Sequence, residues 1–329
     1  MVGAAKAAPN RSKGAGQLVM LQIALVGLGA GAAAALLFAS VVSASWLSIV
    51  LFYVAPLPIL IAALGWSHWA ALIAAFSAAA ALWLAFGGIF FTAFLASVGL
   101  PAWWLGYLSM LARPAANGSG ALEWYPAGRL VVWAALLAVL VVIVAMLNFG
   151  SDLESFRAGL SRSLERMFRT SDEGNRSKII EFFVFALPPA AAVLATITNV
   201  FNLWLAARVV KFSGRLNRPW PDLPAMEFPR WAPAVLGLVV LLSFLGGMIG
   251  LLAGVASASL LIAYGILGLA VMHTVTRNLA SRGLVLGGVY GAVIIFGWPI
   301  LALCTLGLAE TAFDLRRRFA QRRARPPGT

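Results

Sequence analysis

The sequence predicts an all-α protein, a polytopic transmembrane helical bundle with eight to nine membrane segments plus one interfacial amphipathic helix. The first observation behind this fold class is a series of nine mostly apolar stretches, each about twenty residues long. A helix of roughly 20 apolar residues crosses the ~30 Å hydrocarbon core of a bilayer. The second is composition, because 62% of the residues are hydrophobic and only 11% are charged, whereas about 25% are charged in a typical soluble domain. The mean hydropathy of +0.93 agrees with both observations.

The nine stretches also define the expected domain organisation. We expect a basic N-terminal tail at residues 1–17, a single transmembrane domain at residues 18–315 and a basic C-terminal tail at residues 316–329. Very short links, such as residues 253–255, predict tight helical hairpins. The expected membrane segments are Leu18–Ala39, Trp46–Leu64, Trp69–Phe86, Gly88–Leu111, Leu130–Phe149, Ile179–Ala207, Ala232–Leu252, Ala256–Val275 and Leu284–Leu308.

Prolines fall inside three of these segments. Pro56 and Pro58 lie in the second, Pro188 and Pro189 in the sixth, and Pro299 in the ninth. A proline frees a backbone carbonyl and kinks its helix, which lipid tolerates only where neighbouring groups satisfy that carbonyl. Broken helices line the binding sites of many transporters, but kinked helices also occur in ordinary packed bundles, so both interpretations stay open.

Glycines at four-residue spacing mark helix faces on which another helix can approach closely. We expect these faces to pack against other helices of the same chain, because nine segments offer many internal neighbours; a partner protein is the alternative. The glycines are Gly27 and Gly31, then Gly246, Gly250 and Gly254, then Gly283, Gly287 and Gly291.

The segment Ser151–Arg169 predicts an amphipathic helix between the fifth and sixth membrane segments. Its apolar residues recur every three or four positions, arginines occupy the other side, and Ser151 with Glu154 matches a capping box. Such a helix is expected to lie in the headgroup region. A docking surface for a soluble partner is the alternative. The expected apolar stripe is Leu153, Phe156, Leu160, Leu164, Met167 and Phe168.

Basic residues predict contact with lipid. The net charge is +13, but Lys and Arg lie at the ends of apolar segments rather than in one patch with interleaved aromatic residues. This pattern is typical of contact with anionic lipid and argues against nucleic acid as a partner. If all nine segments cross, both sides carry equal numbers of basic residues. The six arginines of the tail between Arg316 and Arg325 then favour a cytoplasmic C-terminus.

Catalytic motifs are missing from the sequence. There is no Gly-rich phosphate loop, no HExxH motif and no pair of carboxylates inside a membrane segment. The single cysteine, Cys304, and the two histidines, His68 and His273, offer neither a metal site nor a nucleophile with its base. We therefore expect a non-enzymatic protein without a metal or cofactor.

A few polar side chains inside the apolar segments are candidates for ligand binding. Asn199 and Asn202 are three residues apart and share one helix face, while Tyr264 and His273 lie along the eighth segment. Amides in hydrocarbon are unfavourable unless they are paired. They are expected either to bind a small molecule or to form hydrogen bonds between helices.

The last segment ends with Glu310 and Asp314 before an arginine run. In a continuous helix, either carboxylate pairs with Arg317 or Arg318, three or four residues further on.

Several of these elements together resemble the YybS-like family of bacterial integral membrane proteins. They are the Pro56-Leu57-Pro58 element among four short-linked segments, the step Gly268-Leu269-Ala270, and the acidic and basic close from Gly307 to Arg318. The core of this family is similar to the substrate-binding S-components of energy-coupling-factor transporters, and the resemblance covers most of Leu18–Arg318. It implies an inner-membrane location and a cavity for a small molecule, but no established activity and no known ligand residues. S-components usually have fewer helices than this chain.

Two functions from different classes follow. The first is a component of a transporter in the bacterial inner membrane that binds a small neutral or weakly polar metabolite within the bundle. The alternative is a structural or scaffolding membrane protein without a ligand cavity, which contacts a membrane or cytoplasmic protein partner through the interfacial helix and the arginine tail.

Overall fold

A computed structural model of the chain describes residues 11–115, 120–167 and 173–324. This part of the chain is almost entirely helical. A short antiparallel hairpin pairs β1 (Ala112–Pro114) with β2 (Leu122–Trp124), with Ala112 opposite Trp124. The helices are α1 Arg11–Ala39, α2 Trp46–Val54, α3 Pro56–Gly65, α4 His68–Phe86, α5 Gly88–Phe94, α6 Leu100–Ser109, α7 Ala127–Leu147, α8 Leu153–Met167, α9 Glu173–Phe212, α10 Ala232–Leu242, α11 Gly247–Val275, α12 Arg282–Phe296, α13 Ile300–Phe313 and α14 Leu315–Ala324.

Within the described residues, seven helical spans are long and apolar enough to cross a bilayer. This confirms a mainly helical protein with several apolar spans of membrane length, whereas the expected number of eight to nine segments is not reached by length. Three further apolar helices are shorter: Ala232–Leu245, Arg282–Phe296 and Ile300–Phe313. The seven spans are Gly16–Ser43, Trp46–Gly65, His68–Phe86, Gly88–Ser109, Ala127–Leu147, Ser177–Phe212 and Gly247–Val275.

The difference arises at two glycine-containing breaks. Gly246 and Gly247 have φ values of 71° and 63°, and such positive φ angles suit glycine because it has no Cβ. The seventh expected segment therefore ends early, and α11 runs without interruption through residues 253–255, so the predicted link there is wrong. Gly297, with φ of 70°, separates α12 from α13, with Pro299 as the residue before α13.

The proline-containing segments behave in two ways. Pro56 begins α3 and separates it from α2, so the second segment is interrupted. Pro188 and Pro189 lie inside α9, which stays helical through both. Of the two interpretations left open for these prolines, a break in the sixth segment is therefore not observed in the described residues, since membrane helices tolerate the lost amide donors when neighbouring groups satisfy the carbonyls.

The chain divides into two compact units. The first consists of residues 1–107 and 202–217, and the second of residues 108–201 and 218–329. In the first unit, α1 packs on a face of α4 built from alanines that are fully buried, among them Ala70 and Ala74.

Glycine makes the close approach of α1 to α4 possible. A Cβ on Gly27 would lie 2.8 Å from the Ala70 carbonyl oxygen, and a Cβ on Gly31 would lie 2.7 Å from that of Ala74 and against the Ser77 hydroxyl. The predicted packing of this glycine pair inside the chain is confirmed.

In the second unit, α11 is the central helix and packs against α7, α10 and α13. Its contact with α13 is again made by glycine, since a Cβ on Gly268 would meet the Leu303 carbonyl and one on Gly307 would meet that of Tyr264. By contrast, a Cβ on Gly283, Gly287 or Gly291 of α12 would have no neighbour within 4 Å. For α12, the expectation that the glycine face packs inside the chain is wrong among the described residues.

Candidate functional site

Asn202 lies in the first unit and forms a hydrogen bond to the interrupted second segment. Its side chain is fully buried, and its Nδ2 donates to the Tyr53 carbonyl oxygen over 2.8 Å. Tyr53 is in the last turn of α2, where backbone carbonyls lack donors from their own helix. The amide therefore supplies a donor to a carbonyl at the end of α2.

Asn199 lies in the second unit within a polar contact between helices. Its Nδ2 donates to the Ala134 carbonyl oxygen of α7 over a longer 3.4 Å. Nearby on α9, the hydroxyl of Thr196 lies 2.7 Å from that of Ser259 on α11, and Ser259 donates to the Ala135 carbonyl oxygen over 2.9 Å. This arrangement links α7, α9 and α11 through buried hydroxyl and amide groups.

Tyr264 and His273 lie at different positions along α11. The Tyr264 ring is fully buried and meets the Phe228 ring edge-on, with centroids 5.2 Å apart. His273 Nδ1 lies 2.9 Å from the Leu269 carbonyl oxygen one turn earlier, and its ring is 6.0 Å from that of Tyr290.

The contacts of the candidate residues favour helix packing. Asn199, Tyr264 and His273 belong to the second unit and have separate sets of neighbours there, while Asn202 belongs to the first unit. Both asparagine amides donate to backbone carbonyls of other helices. Hydrogen bonds between helices, the second of our two interpretations, account for these contacts, and a ligand-binding role stays a prediction.

A cavity of about 270 Å³ lies between α8 and the beginning of α9, in the second unit. Charged and hydroxyl side chains line it together with apolar ones, and the guanidinium carbon of Arg157 lies 4.6 Å from the centre of the Phe185 ring. The lining residues are Arg157, Ser161, Glu165, Ser177, Ile180, Glu181, Val184 and Phe185. Sequence reasoning identified the helix but missed this cavity, because only the fold brings α9 beside α8.

The start of α8 is fixed by a reciprocal cap one residue later than predicted. Asp152 Oδ1 accepts from the Ser155 backbone amide over 2.9 Å, and the Ser155 hydroxyl accepts from the Asp152 amide over 3.3 Å. These hydrogen bonds from Ser155 lower the pKa of Asp152 below its usual range. Asp152 and Ser155 thus replace Ser151 and Glu154 as the capping pair, because aspartate accepts an amide hydrogen bond more strongly than serine does.

The apolar stripe of α8 faces protein. Phe156 is 1% exposed and Leu164 is 8% exposed, and both pack in a cluster with residues of α7, α9 and α11. Arg157 and Arg162 lie on the exposed side. The amphipathic pattern is confirmed over residues 153–165, while the side chains of Met167 and Phe168 and the predicted end at Arg169 lie outside what the structure describes.

The acidic end of α13 forms a different ion pair from the one predicted. Arg316 Nε donates to Glu310 Oε1 over 2.7 Å, and both side chains are nearly buried. Asp314 adopts φ of 47° and ends α13, so α14 begins in a new direction. This break brings a residue six positions away within reach, which a continuous helix does not do, so pairing with Arg317 or Arg318 is replaced by pairing with Arg316.

A second partly buried arginine, Arg218, was missed by the sequence analysis. It donates to the carbonyl oxygens of Ser109 and Tyr125 over 2.9 and 2.8 Å, and burial lowers its pKa. Its position in a loop with Gly and Pro nearby gave no sign of this, since the partners are backbone groups distant in sequence.

Metal ligation has no support in the described residues, where no group of three or more His, Cys, Asp or Glu side chains could hold an ion. Cys304 is buried, with its sulfur 3.0 Å from the Leu261 carbonyl oxygen.

Comparison with known proteins does not assign the chain to a family. No protein-family model matches it, and neither a curated protein nor a solved structure is similar enough to match. The resemblance to the YybS-like family therefore stays a prediction from the sequence elements alone.

Proposed function

We propose that the protein is a non-enzymatic component of a transporter in the bacterial inner membrane, and that it binds a small neutral or weakly polar metabolite. The observation that carries this proposal is the interruption of apolar segments at Pro56 and at Gly297–Pro299. Discontinuous helices expose backbone donors and acceptors within the membrane, and transporters use them to coordinate substrates. The resemblance to S-component-like proteins agrees with this class.

A thermal-shift screen tests the proposal. The purified full chain in detergent is heated with neutral amino acids, nucleobases and water-soluble vitamins, one at a time. A ligand that binds only the folded state raises the unfolding temperature with its concentration. We expect one compound class to do so and to be taken up or retained by proteoliposomes that contain the protein. If no compound shifts unfolding or is retained, the proposal is wrong.

Variants of the two asparagines test whether a ligand found in this screen binds at Asn199 and Asn202. If the amides bind the ligand, Asn199→Leu and Asn202→Leu abolish the ligand-induced shift and leave expression and membrane insertion intact. If the amides only join helices, both variants unfold at lower temperature without ligand and keep the shift.

A scaffolding function is the second candidate, and α12 is the observation that favours it. No residue of α12 is buried, and Leu284 and Ile294 are each 81% exposed. Exposed apolar side chains beside a glycine face suit a second membrane helix. Under this hypothesis, Gly287→Leu reduces the size of the complex solubilised from native membranes, whereas Gly29→Leu, an equally uncrowded position on α1, does not. Equal sizes for wild type and both variants would contradict it.

We also propose that the C-terminal tail is cytoplasmic. A green fluorescent protein fused after residue 329 is then fluorescent, and alkaline phosphatase fused there is inactive. The reverse result would place the tail outside.

A further inference from the structure

We propose that the cavity between α8 and α9 binds a ligand carrying both a primary ammonium and a phosphate group, supplied as the headgroup of a zwitterionic aminophospholipid. Nothing in the comparisons or in the transporter proposal assigns this cavity, which consists entirely of residues of the second unit.

The charges that line the cavity define the ligand class. Arg157 brings one positive charge and Glu165 and Glu181 bring two negative charges. Within the described residues, none of these three side chains forms an ion pair. A phosphate alone would meet two carboxylates, and an ammonium alone would meet the guanidinium. A ligand with both groups can satisfy each set of charges.

The geometry of Arg157 suits a phosphate. Its guanidinium lies over the Phe185 ring at 4.6 Å, and stacking of this kind uses the flat face of the group. The N–H donors at its edge stay available for the paired hydrogen bonds that phosphate oxygens accept. The hydroxyl of Ser161, which also lines the cavity, is of the type that donates to phosphate or ester oxygens.

The position of the cavity favours a lipid over a soluble molecule. Helix α8 is amphipathic and connects the membrane spans Ala127–Leu147 and Ser177–Phe212, so it lies where a span ends and the headgroup region begins. The cavity has an apolar side formed by Ile180 and Val184. On the same helix, Phe182 is 67% exposed, and an exposed apolar face beside a polar cavity suits an acyl chain next to its headgroup.

Native mass spectrometry of the full chain tests the assignment. The protein is delipidated in detergent and offered phosphatidylethanolamine, phosphatidylcholine or phosphatidylglycerol with identical acyl chains. We expect retention of phosphatidylethanolamine, with about tenfold weaker binding of the other two, which each lose charge-assisted hydrogen bonds of the ammonium. Equal retention of all three lipids, or preference for phosphatidylglycerol, would overturn the proposal.

Charge-removing variants locate the binding. Glu181→Gln and Arg157→Gln are each expected to weaken phosphatidylethanolamine binding by about tenfold. The matched control is Glu154→Gln, because Glu154 is an exposed carboxylate of α8 that does not line the cavity. The unfolding temperature of each variant is compared with that of the wild type. Only a variant that is folded and binds less lipid supports the proposal. Unchanged binding in both cavity variants would overturn the assignment.

O-phosphoethanolamine tests whether the ligand is a soluble molecule rather than a lipid, because it carries the same two groups without acyl chains. We expect it neither to raise the unfolding temperature nor to displace the lipid. A concentration-dependent shift with O-phosphoethanolamine and no retention of phosphatidylethanolamine would overturn the lipid source.

Discussion

Arg316 joins three groups at the end of α13. Besides its ion pair with Glu310, it donates to the carbonyl oxygens of Pro224 and Met226 over 2.6 and 2.9 Å. The Pro224 carbonyl also accepts from the Thr274 hydroxyl over 2.8 Å. Arg316 thus attaches the loop before α10 to α13, and Thr274 attaches the same loop to α11 in the second unit.

Replacement of Arg316 by leucine is expected to lower the free energy of unfolding by about 3 kcal/mol, because it leaves the buried Glu310 carboxylate without its partner. Arg317→Leu is the control, since Arg317 is exposed and its loss should change little. Thermal unfolding followed by tryptophan fluorescence measures both. Similar unfolding temperatures for the two variants would show that the ion pair does not stabilise the fold.

At this scale, the sequence predicted which polar residues need a hydrogen bond or an ion pair, but often not the residues that provide it. Asn199 and Asn202 were correctly identified as groups that need hydrogen-bond partners, and Glu310 as a group that needs an ion pair, although its partner is Arg316. Their partners depend on helix ends that sequence spacing does not contain, such as the end of α2 at Val54 and the left-handed residue Asp314. Pairing rules for a continuous helix fail where the helix stops.

At the scale of elements, glycine spacing identifies a helix face but not what covers it. The pair Gly27 and Gly31 lies against α4, whereas Gly287 and Gly291 of α12 have no neighbour within 4 Å. All are four residues from another glycine, so the sequence treats them alike. What distinguishes them is a partner face of small residues, which α4 supplies with its buried alanines.

Gly31→Val is expected to destabilise the first unit strongly, because its side chain would overlap the Ala74 carbonyl and the Ser77 hydroxyl. Overpacking against backbone is expected to cost about 3 kcal/mol. Gly29→Val on the same helix is the control, because a Cβ there meets nothing within 4 Å. The measurement is the yield and unfolding temperature of each variant in detergent. A loss of equal size at both positions would indicate that valine acts through helix propensity rather than packing.

For α8, periodicity predicted the helix and its apolar face, and the structure shows that Phe156 and Leu164 on this face pack against protein. Phe156 contacts protein, so Phe156→Glu must desolvate a carboxylate within a packed cluster, an expected destabilisation of about 3 kcal/mol or more. Arg162→Glu, on the exposed side, should leave stability nearly unchanged. The unfolding temperature of each variant in detergent, followed by tryptophan fluorescence, measures this difference. Equal unfolding temperatures of the two variants would contradict the packing role of Phe156.

At the scale of the whole molecule, hydropathy predicted the class better than the number of crossings. Mean hydropathy over a sliding window detects how long an apolar stretch is, but not where the chain turns within it. The stretch 232–275 is apolar throughout, so hydropathy does not show that the chain turns at Gly246 rather than at residues 253–255. The same holds at Gly297, where one expected segment becomes α12 and α13. Backbone torsion at glycine, rather than composition, sets these ends.

The membrane class itself leads to the last prediction, which concerns extraction. The seven apolar spans expose many large hydrophobic side chains, including Leu84 at 82% and Ile89 at 79%. Salt screens charges but does not change the unfavourable transfer of such side chains to water. We therefore expect the protein to stay in the membrane pellet after washes with 1 M salt, at which the Debye length is about 3 Å, and after alkaline washes. A peripheral protein bound by charge is released by the first wash and serves as the control. Recovery of this protein in the supernatant of either wash, without detergent, would contradict an integral membrane protein, whatever the number of its crossings.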